Sequence, residues 1–248
     1  MGLFGKLFSS GSKSSAVDFS LVVADMHSHL IPGIDDGVKT VEESMNLITE
    51  LYHLGFRKFI TTPHIMTDFY KNTPKIINEG LAKVRDAIAK SGMPITIEAA
   101  AEYYLDEGFT SKVDNEKLLT FGDNYLLFEI SYINCPDNLR EMLFKMQVQG
   151  YKPVLAHPER YPFWYNKFEE YQNLKDTGVL LQININSLSG YYSPMARKVA
   201  ERMIDNNLVD FIGTDAHGTK HTDVLKKTLQ TKYLQKLITS GKLLNSQL

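Results

Sequence analysis

The chain has 248 residues, of which 43% are hydrophobic and 23% are charged, and its formal net charge is -2. This composition is ordinary for a globular protein, and the length suits one large α/β domain. A net charge near zero creates no field that recruits nucleic acid or an anionic membrane, so a phosphorylated substrate would need a local positive site. The single cysteine, Cys135, excludes an internal disulfide framework and a thiolate zinc site, and it favours a reducing compartment with the cytosol as the expected location.

Residues 1–20 are predicted to be a flexible leader. Leu3, Phe4, Leu7 and Phe8 are followed by a run rich in serine and glycine at 9–15, which is typical of a disordered linker. A weak membrane or partner anchor is the alternative interpretation of these apolar residues. No stretch of the sequence approaches the roughly 20 apolar residues of a transmembrane helix, so no transmembrane segment is predicted.

From residue 21 onward, short apolar runs alternate with longer amphipathic stretches, which is the pattern of repeated βα units. Seven runs are predicted to be strands, at 21–25, 58–62, 95–100, 125–130, 153–156, 179–185 and 209–214. Such units predict a closed or nearly closed barrel of parallel strands in a single domain over 21–243, with a frayed tail at 244–248. An open doubly wound sheet is the alternative.

Local signals predict where the helices begin and end. Thr40 and Glu43 form a potential capping box at the start of the first long helix. Gly55 and Gly92 are expected to end the first two helices. Three further helix starts are predicted where proline would occupy the first helical position, at Thr73-Pro74, Cys135-Pro136 and Ser193-Pro194.

Potential metal ligands follow almost every predicted strand. In chain order they are His27, His29, His64, Glu102, Glu129, His157, Asp215 and His217. One such residue alone is more often structural, but ionisable groups that converge on one barrel mouth would repel and desolvate one another unless cations compensated them. The set therefore predicts a metal centre, and its lack of thiolates suits Mn, Fe or Zn. His53 and His221 lie away from strand ends and receive no site role.

Charge balance points to a phosphate ester as the substrate. Three divalent ions facing the carboxylates of Asp36, Glu102, Glu129 and Asp215 would leave about two positive charges, which suits a phosphate monoester dianion. Phosphatase chemistry based on a cysteine nucleophile is not favoured, because Pro136 lacks the backbone N–H that such a phosphate cradle requires after Cys135. Cys135 is instead expected to be a helix N-cap or a core residue.

Five motifs together resemble the polymerase and histidinol phosphatase (PHP) superfamily. They are the run from His27 to Gly37, Thr62-Pro63-His64, Ala101-Glu102-Tyr103-Tyr104, His157-Pro158-Glu159-Arg160 and Thr214-Asp215-Ala216-His217. More narrowly, the set is similar to the CpsB/CapC-type manganese-dependent tyrosine phosphatases of capsule and exopolysaccharide systems. The resemblance covers residues 21–220.

The resemblance implies a distorted (β/α)7 TIM-like barrel that holds three metal ions, with Mn preferred and Fe or Zn as alternatives. It implies one ion on His27, His29, Glu102 and Asp215, a second on Glu102, Glu129 and His157, and a third on Asp36, His64 and His217. Asp25 is expected to orient a histidine from the outer layer of the site. Arg160 is expected to bind phosphate oxygens, and either Asp36 or His217 to protonate the leaving oxygen.

The implied activity is metal-dependent hydrolysis of phosphotyrosine on a protein, with the tail of a bacterial tyrosine kinase as the partner. A phosphatase for a small metabolite such as histidinol phosphate, or a noncatalytic scaffold, is the alternative. Aromatic residues near the expected mouth suit a tyrosine ring, although the same residues could equally be core. They are Tyr103, Tyr104, Tyr161, Phe163, Trp164 and Tyr165.

Overall fold

The computed structural model describes residues 18–248, so most of the predicted leader lies outside the described residues. The helices are α1 Val41–His53, α2 Pro74–Ser91, α3 Glu107–Asn115, α4 Leu139–Val148, α5 Glu169–Asp176, α6 Pro194–Asp205, α7 Thr219–Thr228 and α8 Lys232–Ile238. The strands are β1 Ala24–Asp25, β2 Lys58–Thr61, β3 His64–Ile65, β4 Thr96–Ala99, β5 Glu102–Tyr104, β6 Tyr125–Glu129, β7 Lys152–Ala156, β8 Leu180–Asn184 and β9 Phe211–Gly213. None of these helices combines the length and apolar character needed to cross a membrane.

The strands form two sheets in which all neighbouring strands are parallel. One sheet has the order β1-β2-β4, and the other has the order β3-β5-β6-β7-β8-β9. The predicted parallel α/β architecture is therefore confirmed. Each of the seven predicted strands is present, and β3 and β5 are short additional strands that sequence patterning did not predict.

The two sheets continue each other across short interruptions, where two strands pause for two residues each. Thr62 and Pro63 separate β2 from β3, and proline has no N–H with which to continue a ladder. Backbone hydrogen bonds nevertheless cross the break, from Ala100 N to Thr61 O (2.9 Å) and from Glu102 N to Pro63 O (3.1 Å). The neighbouring strands therefore stay paired across the interruption.

Helix starts follow the predicted caps in three of four cases. The hydroxyl of Thr40 accepts a hydrogen bond from Glu43 N at 3.1 Å, and α2 and α6 begin at Pro74 and Pro194. The prediction that a helix begins at Pro136 is wrong, since α4 begins only at Leu139. Leu139 N bonds Pro136 O at 3.1 Å, so the proline begins a turn that precedes the helix.

Two groups of buried apolar side chains hold the fold together. The larger group packs the helices against the sheets and includes the residues spaced along α1 and α2. The smaller group draws on β2, β6, β7 and β9 and on residues next to strands, and contains Met26, Ile60, Ala100, Phe121, Leu127, Val154, Ala156 and Phe211. Met26, Ala100 and Ala156 each lie within two residues of a predicted metal ligand, so this apolar group adjoins the predicted site.

Both predicted ends of the domain required correction. Phe19 lies inside the expected leader, yet it is fully buried and stacks on Phe56 with 4.5 Å between ring centroids. At the other end, Leu244–Gln247 form a 3-10 turn instead of a frayed tail. The buried amide of Asn245 explains this order, because it accepts from Ile212 N (3.0 Å) and donates to Ala24 O (3.0 Å) and Ile212 O (2.8 Å).

We predict that Asn245→Ala destabilises the protein, because it leaves buried backbone groups beside β1 and β9 without partners. The free energy of unfolding should fall by about 1–3 kcal/mol, measured by urea denaturation followed by circular dichroism. Ser246→Ala is the matched control, since Ser246 is exposed and should change little. Equal stability of the two variants would contradict the role given to Asn245.

Candidate metal centre

All nine predicted ligand residues lie together where the parallel strands end. Their ligand atoms fall into overlapping groups whose members are within 4.8 Å of one another. The groups are His29, Asp36, His64 and His217; His27, His29 and Asp215; His27, Glu102 and His157; and His64, Glu102 and Glu129. The convergence follows from the fold, because parallel strands deliver the residues after their carboxyl ends to the same edge.

Glu102 occupies the centre of this cluster. Its fully buried carboxylate faces His27 Nε2 at 3.1 Å, His64 Nδ1 at 3.2 Å, His29 Nε2 at 3.5 Å and His157 Nε2 at 3.0 Å. Burial would raise the pKa of the Glu102 carboxyl, but the charges of His27 and His64 hold it well below its usual range. A charged carboxylate shared by four imidazoles can bridge two metal ions.

Several buried atoms of the cluster have no hydrogen-bond partner among the described residues. They are His29 Nε2, His64 Nδ1 and Glu129 Oε1. Although His64 Nδ1 and Glu129 Oε1 lie only 3.2 Å apart, they form no aligned hydrogen bond. An unpaired buried polar atom costs about 1–3 kcal/mol, and a metal ion would use the lone pairs that these atoms offer. The donor set therefore fits divalent metal.

An outer layer of polar groups fixes the direction of the histidine rings. Gln182 Oε1 lies 2.9 Å from His27 Nδ1, and Asp35 Oδ2 lies 2.8 Å from His29 Nδ1. Each contact leaves Nε2 of the same ring facing the cluster. Sequence reasoning missed both Gln182 and Asp35. The available signal was that Gln182 precedes Asn184 by two residues in β8, so the two side chains share one face of the strand.

Asp25 does not orient a histidine ring as expected. Its carboxylate accepts hydrogen bonds from Thr214 N (2.9 Å) and Thr214 Oγ1 (2.7 Å). Burial raises the pKa of Asp25 to about 6 even though these hydrogen bonds favour the charged form. Asp25 therefore fixes the backbone that leads into Asp215, and it acts on the cluster through the chain.

Two predicted ligands lie on strained backbone. His157 has a φ of 36° and Asp215 a φ of 50°, in the left-handed region that few residues other than glycine adopt. Such conformations cost of order 1–3 kcal/mol and persist where the surrounding structure enforces them. The hydrogen bond from Asp215 N to His27 O (2.8 Å) provides one such constraint. The fold thus turns these two side chains into the cluster at a cost in stability.

A cavity of about 500 Å³ opens above the cluster, and Arg160 forms part of its wall. Arg160 Nη1 lies 3.0 Å from Asp215 Oδ2. The guanidinium also lies over two aromatic rings, 4.1 Å from the centroid of Tyr192 and 4.9 Å from that of Tyr132. These contacts hold a planar cation beside the predicted metal ligands and leave other N–H groups of the guanidinium free to donate to a bound molecule.

The aromatic residues after Arg160 do not line this cavity. Tyr161 is fully buried, and its hydroxyl donates to Ala156 O (3.1 Å) and accepts from Ile130 N (3.1 Å). Trp164 is buried against it, because two successive 3-10 turns fold this segment back onto the core. Tyr103 is likewise buried, whereas Tyr104 does reach the cavity.

Tyr104 shares the mouth with four aromatic residues that were not predicted to line it. They are Tyr70, Tyr132, Tyr192 and His221. His221 was expected to have no site role, yet its Nδ1 lies 3.3 Å from His217 N, placed to accept that hydrogen bond. Its position four residues after His217, on the first turn of α7, was the signal for this contact.

A parallel α/β scaffold with a buried centre of imidazoles and carboxylates defines the class: a protein built to hold divalent metal at the carboxyl ends of its strands. Residues 23–241 match the family described as "Capsular polysaccharide synthesis, CpsB/CapC". Because this match spans most of the sequence, the chain belongs to the CpsB/CapC family. This confirms the resemblance found in the motifs.

Named relatives agree with this membership. The chain is 27% identical to the tyrosine-protein phosphatase YwqE of Bacillus subtilis over 197 residues, covering 79% of this chain and 78% of the relative. It is 29% identical to the tyrosine-protein phosphatase CpsB of Streptococcus pneumoniae over 200 residues, covering 78% and 82%.

Solved structures agree in fold as well. One of the crystal structures of YwqE and CpsB, described as unique metal-dependent tyrosine phosphatases, superposes with a TM-score of 0.78 at 26% identity and covers 87% of this chain and 90% of that one. The Listeria monocytogenes lactonase Lmo2620 superposes with a TM-score of 0.55 at 11% identity, covering 92% of this chain and 89% of that one, which is a likeness of fold alone.

We predict that His27→Ala and Glu102→Ala each lower the metal content of the purified protein to under half that of the wild type, because each removes a donor shared between groups of the cluster. Inductively coupled plasma mass spectrometry after gel filtration would measure it. His53→Ala is the control, since His53 is exposed in the last turn of α1. Wild-type metal content in both cluster variants would show that these residues are not ligands.

Proposed function

We propose that this chain is a metal-dependent protein-tyrosine phosphatase. The observation that carries the proposal is the joint placement of a buried imidazole–carboxylate cluster, the Arg160 guanidinium and tyrosine rings around one cavity. Metal and guanidinium suit the phosphate group, and the rings suit a phenyl ester. The relatives named as tyrosine-protein phosphatases support the same substrate.

We propose three ions, with manganese preferred and iron or zinc as alternatives. The ligand sets are His27, His29, Glu102 and Asp215 for the first ion; Glu102, Glu129 and His157 for the second; and Asp36, His64 and His217 for the third. One proximity group contains the whole third set, and another contains His27, His29 and Asp215 of the first set without Glu102. The second set is supported by two contacts of His157 Nε2, at 3.0 Å from Glu102 and 3.8 Å from Glu129.

In the proposed mechanism, the protein binds the phosphoryl group and supplies a proton. When bound, divalent ions supply Lewis-acid activation of water and neutralise charge at the phosphoryl group. Arg160 donates hydrogen bonds to phosphoryl oxygens whose charge grows in the transition state. Either Asp36 or His217 protonates the leaving phenolate, since both line the cavity; Asp36 Oδ1 and His217 Nε2 lie 3.4 Å apart there.

We propose that the scaffold is a distorted, closed (β/α)7 barrel. Counting β2 with β3 and β4 with β5 as single interrupted strands gives seven strands in chain order. Backbone bonds join the first to the last, from His29 N to Ala216 O (3.0 Å) and from Asp215 N to His27 O (2.8 Å). Closure would explain why residues from both ends of the domain meet in one cluster.

We also propose that the protein substrate is a bacterial tyrosine kinase of capsule or exopolysaccharide synthesis, acted on in the cytosol. The family description supports the link to capsular polysaccharide synthesis. The single half-buried Cys135 is compatible with a reducing compartment. The noncatalytic alternative is not favoured, because each of the nine predicted ligand residues is present and contributes to the cluster.

We predict that the metal-loaded protein hydrolyses phosphotyrosine peptides with higher kcat/KM than phosphoserine peptides or histidinol phosphate. A phenyl ester can bury its ring against the tyrosines of the cavity, and serine offers no such surface. Phosphate release would be measured with each substrate at saturating manganese and again after prolonged chelation. Higher kcat/KM for histidinol phosphate would refute the tyrosine assignment, and full activity in metal-free protein would refute the metal mechanism.

We predict that Arg160→Ala lowers kcat/KM for aryl phosphates. The lost transition-state stabilisation should be about 2–4 kcal/mol, the scale of a lost oxyanion contact. Cys135→Ser is the control and should leave turnover nearly unchanged. Burial raises the pKa of the Cys135 thiol, which disfavours a nucleophilic thiolate. Severe loss in Cys135→Ser with none in Arg160→Ala would reverse the mechanism.

A further inference from the structure

Two large apolar side chains are highly exposed on loops whose neighbouring residues line the cavity. Ile133 is 88% exposed and Phe69 is 81% exposed, the highest values for large hydrophobic residues in the described part of the chain. Each adjoins a tyrosine that lines the cavity, Tyr132 and Tyr70 respectively. Single exposed apolar residues are common, but several of them grouped around a binding cavity are typical of an interaction surface.

Strand order brings these residues to the mouth. Phe69 lies between β3 and α2, and Ile133 lies between β6 and α4, so both follow the carboxyl ends of strands. In the sheet, β3 and β6 flank β5, which carries Glu102 and Tyr104 into the site. Phe69 and Ile133 therefore lie on either side of the loop region above the central carboxylate.

A third residue extends the same pattern. Tyr191 is 42% exposed beside the cavity-lining Tyr192, and its ring contacts His221 with 5.4 Å between centroids. It follows β8, and β7 lies between β8 and β6 and leads into His157 and Arg160. Loops that carry exposed apolar side chains therefore alternate with strands that lead into Glu102, His157 and Arg160. We name Phe69, Ile133 and Tyr191 the apolar rim.

The loops that carry the apolar rim contain few charges. Residues 130–138 include one charged side chain, Asp137, and residues 190–193 include none. Residues 66–73 contain one charge of each sign, Asp68 and Lys71. The groove between the loops at 66–73 and 130–138 is acidic, since Asp68, Asp106 and Glu107 line it. The apolar character is therefore confined to the rim side chains themselves, which suit apolar groups and repel none, whereas acidic flanking residues would meet like charge.

The inner tyrosines show how a substrate would reach the rim. Tyr70 stacks on His64 with 5.5 Å between centroids and an interplanar angle of 12°, and Tyr132 stacks on His157 at 5.8 Å and 17°. These rings therefore lie directly beside predicted ligands. A phosphotyrosine whose phosphate reaches the cluster would pass between these rings, which brings the neighbouring residues of the peptide to the loops at the mouth, among them those that hold Phe69 and Ile133.

On this geometry, and resting on the proposed phosphatase function, we propose that the apolar rim is a docking surface for apolar or aromatic side chains that flank the phosphotyrosine in a peptide substrate. The rim contributes to peptide binding and not to cleavage of the phosphoester. It therefore sets KM for peptides and is irrelevant to small aryl phosphates, which lack flanking residues.

The test compares three phosphotyrosine peptides with 4-nitrophenyl phosphate on the metal-loaded full chain. The peptides flank the phosphotyrosine with Leu and Phe, with Ser and Gly, or with Asp and Glu. The Phe69→Ala/Ile133→Ala double variant should lose about tenfold in kcat/KM on the apolar peptide, mainly through KM, because two apolar contacts are removed. Its activity on 4-nitrophenyl phosphate should stay unchanged, and its preference for the apolar peptide should disappear.

The matched control is Phe144→Ala/Val148→Ala, which removes two similarly exposed side chains, 66% and 67%, from α4. An equal loss in this control, a wild-type preference for the acidic peptide, or no change in the rim variant would overturn the proposal. Light scattering would be measured in parallel, because a changed oligomeric state with unchanged peptide preference would make the rim a contact between copies. Hydrolysis without peptide preference would refute only the rim, whereas no hydrolysis of any aryl phosphate would refute the phosphatase function itself.

Discussion

The site depends on one buried negative charge, the carboxylate of Glu102, which four imidazoles surround at 3.0–3.5 Å. A carboxylate in this position is stable only when positive charge compensates the loss of water. The histidines supply that charge when they are protonated, and metal ions would supply more of it while also using the unpaired ring nitrogens. The same electrostatic requirement that makes the cluster costly to assemble therefore makes it a strong site for cations.

The surrounding structure holds these side chains in place by polar contacts between distant parts of the chain. Gln182 and Asp35 orient two of the rings, and Asp25 fixes the backbone at Thr214 before the strained residue Asp215. Each contact satisfies a buried polar group, so it also stabilises the fold. Stability and site geometry are consequently coupled, because a lost outer contact would both weaken the core and misdirect a ligand.

Polar and apolar side chains occupy different positions around the cavity. Arg160 lies over the rings of Tyr132 and Tyr192 and lines the cavity beside the cluster. The exposed side chains of Phe69 and Ile133 lie farther out, on loops from strands that flank β5. A polar cluster inside the cavity and apolar side chains around its mouth suit a substrate that has a charged group at the end of an aromatic side chain. Each part of such a substrate contacts protein groups of matching polarity.

The sequence by itself determined the seven strands, the capped starts of α1, α2 and α6, and the set of residues that form the cluster. These features were predictable because side-chain periodicity and capping act over a few residues, and because parallel strands bring the residues after them to one edge. Only the tertiary structure decided that Tyr161 and Trp164 are core, that Asn245 ties the last turn to β1 and β9, and that Asp25 holds Thr214. Those outcomes depend on contacts between residues far apart in the chain, and the packing of the whole domain sets such contacts.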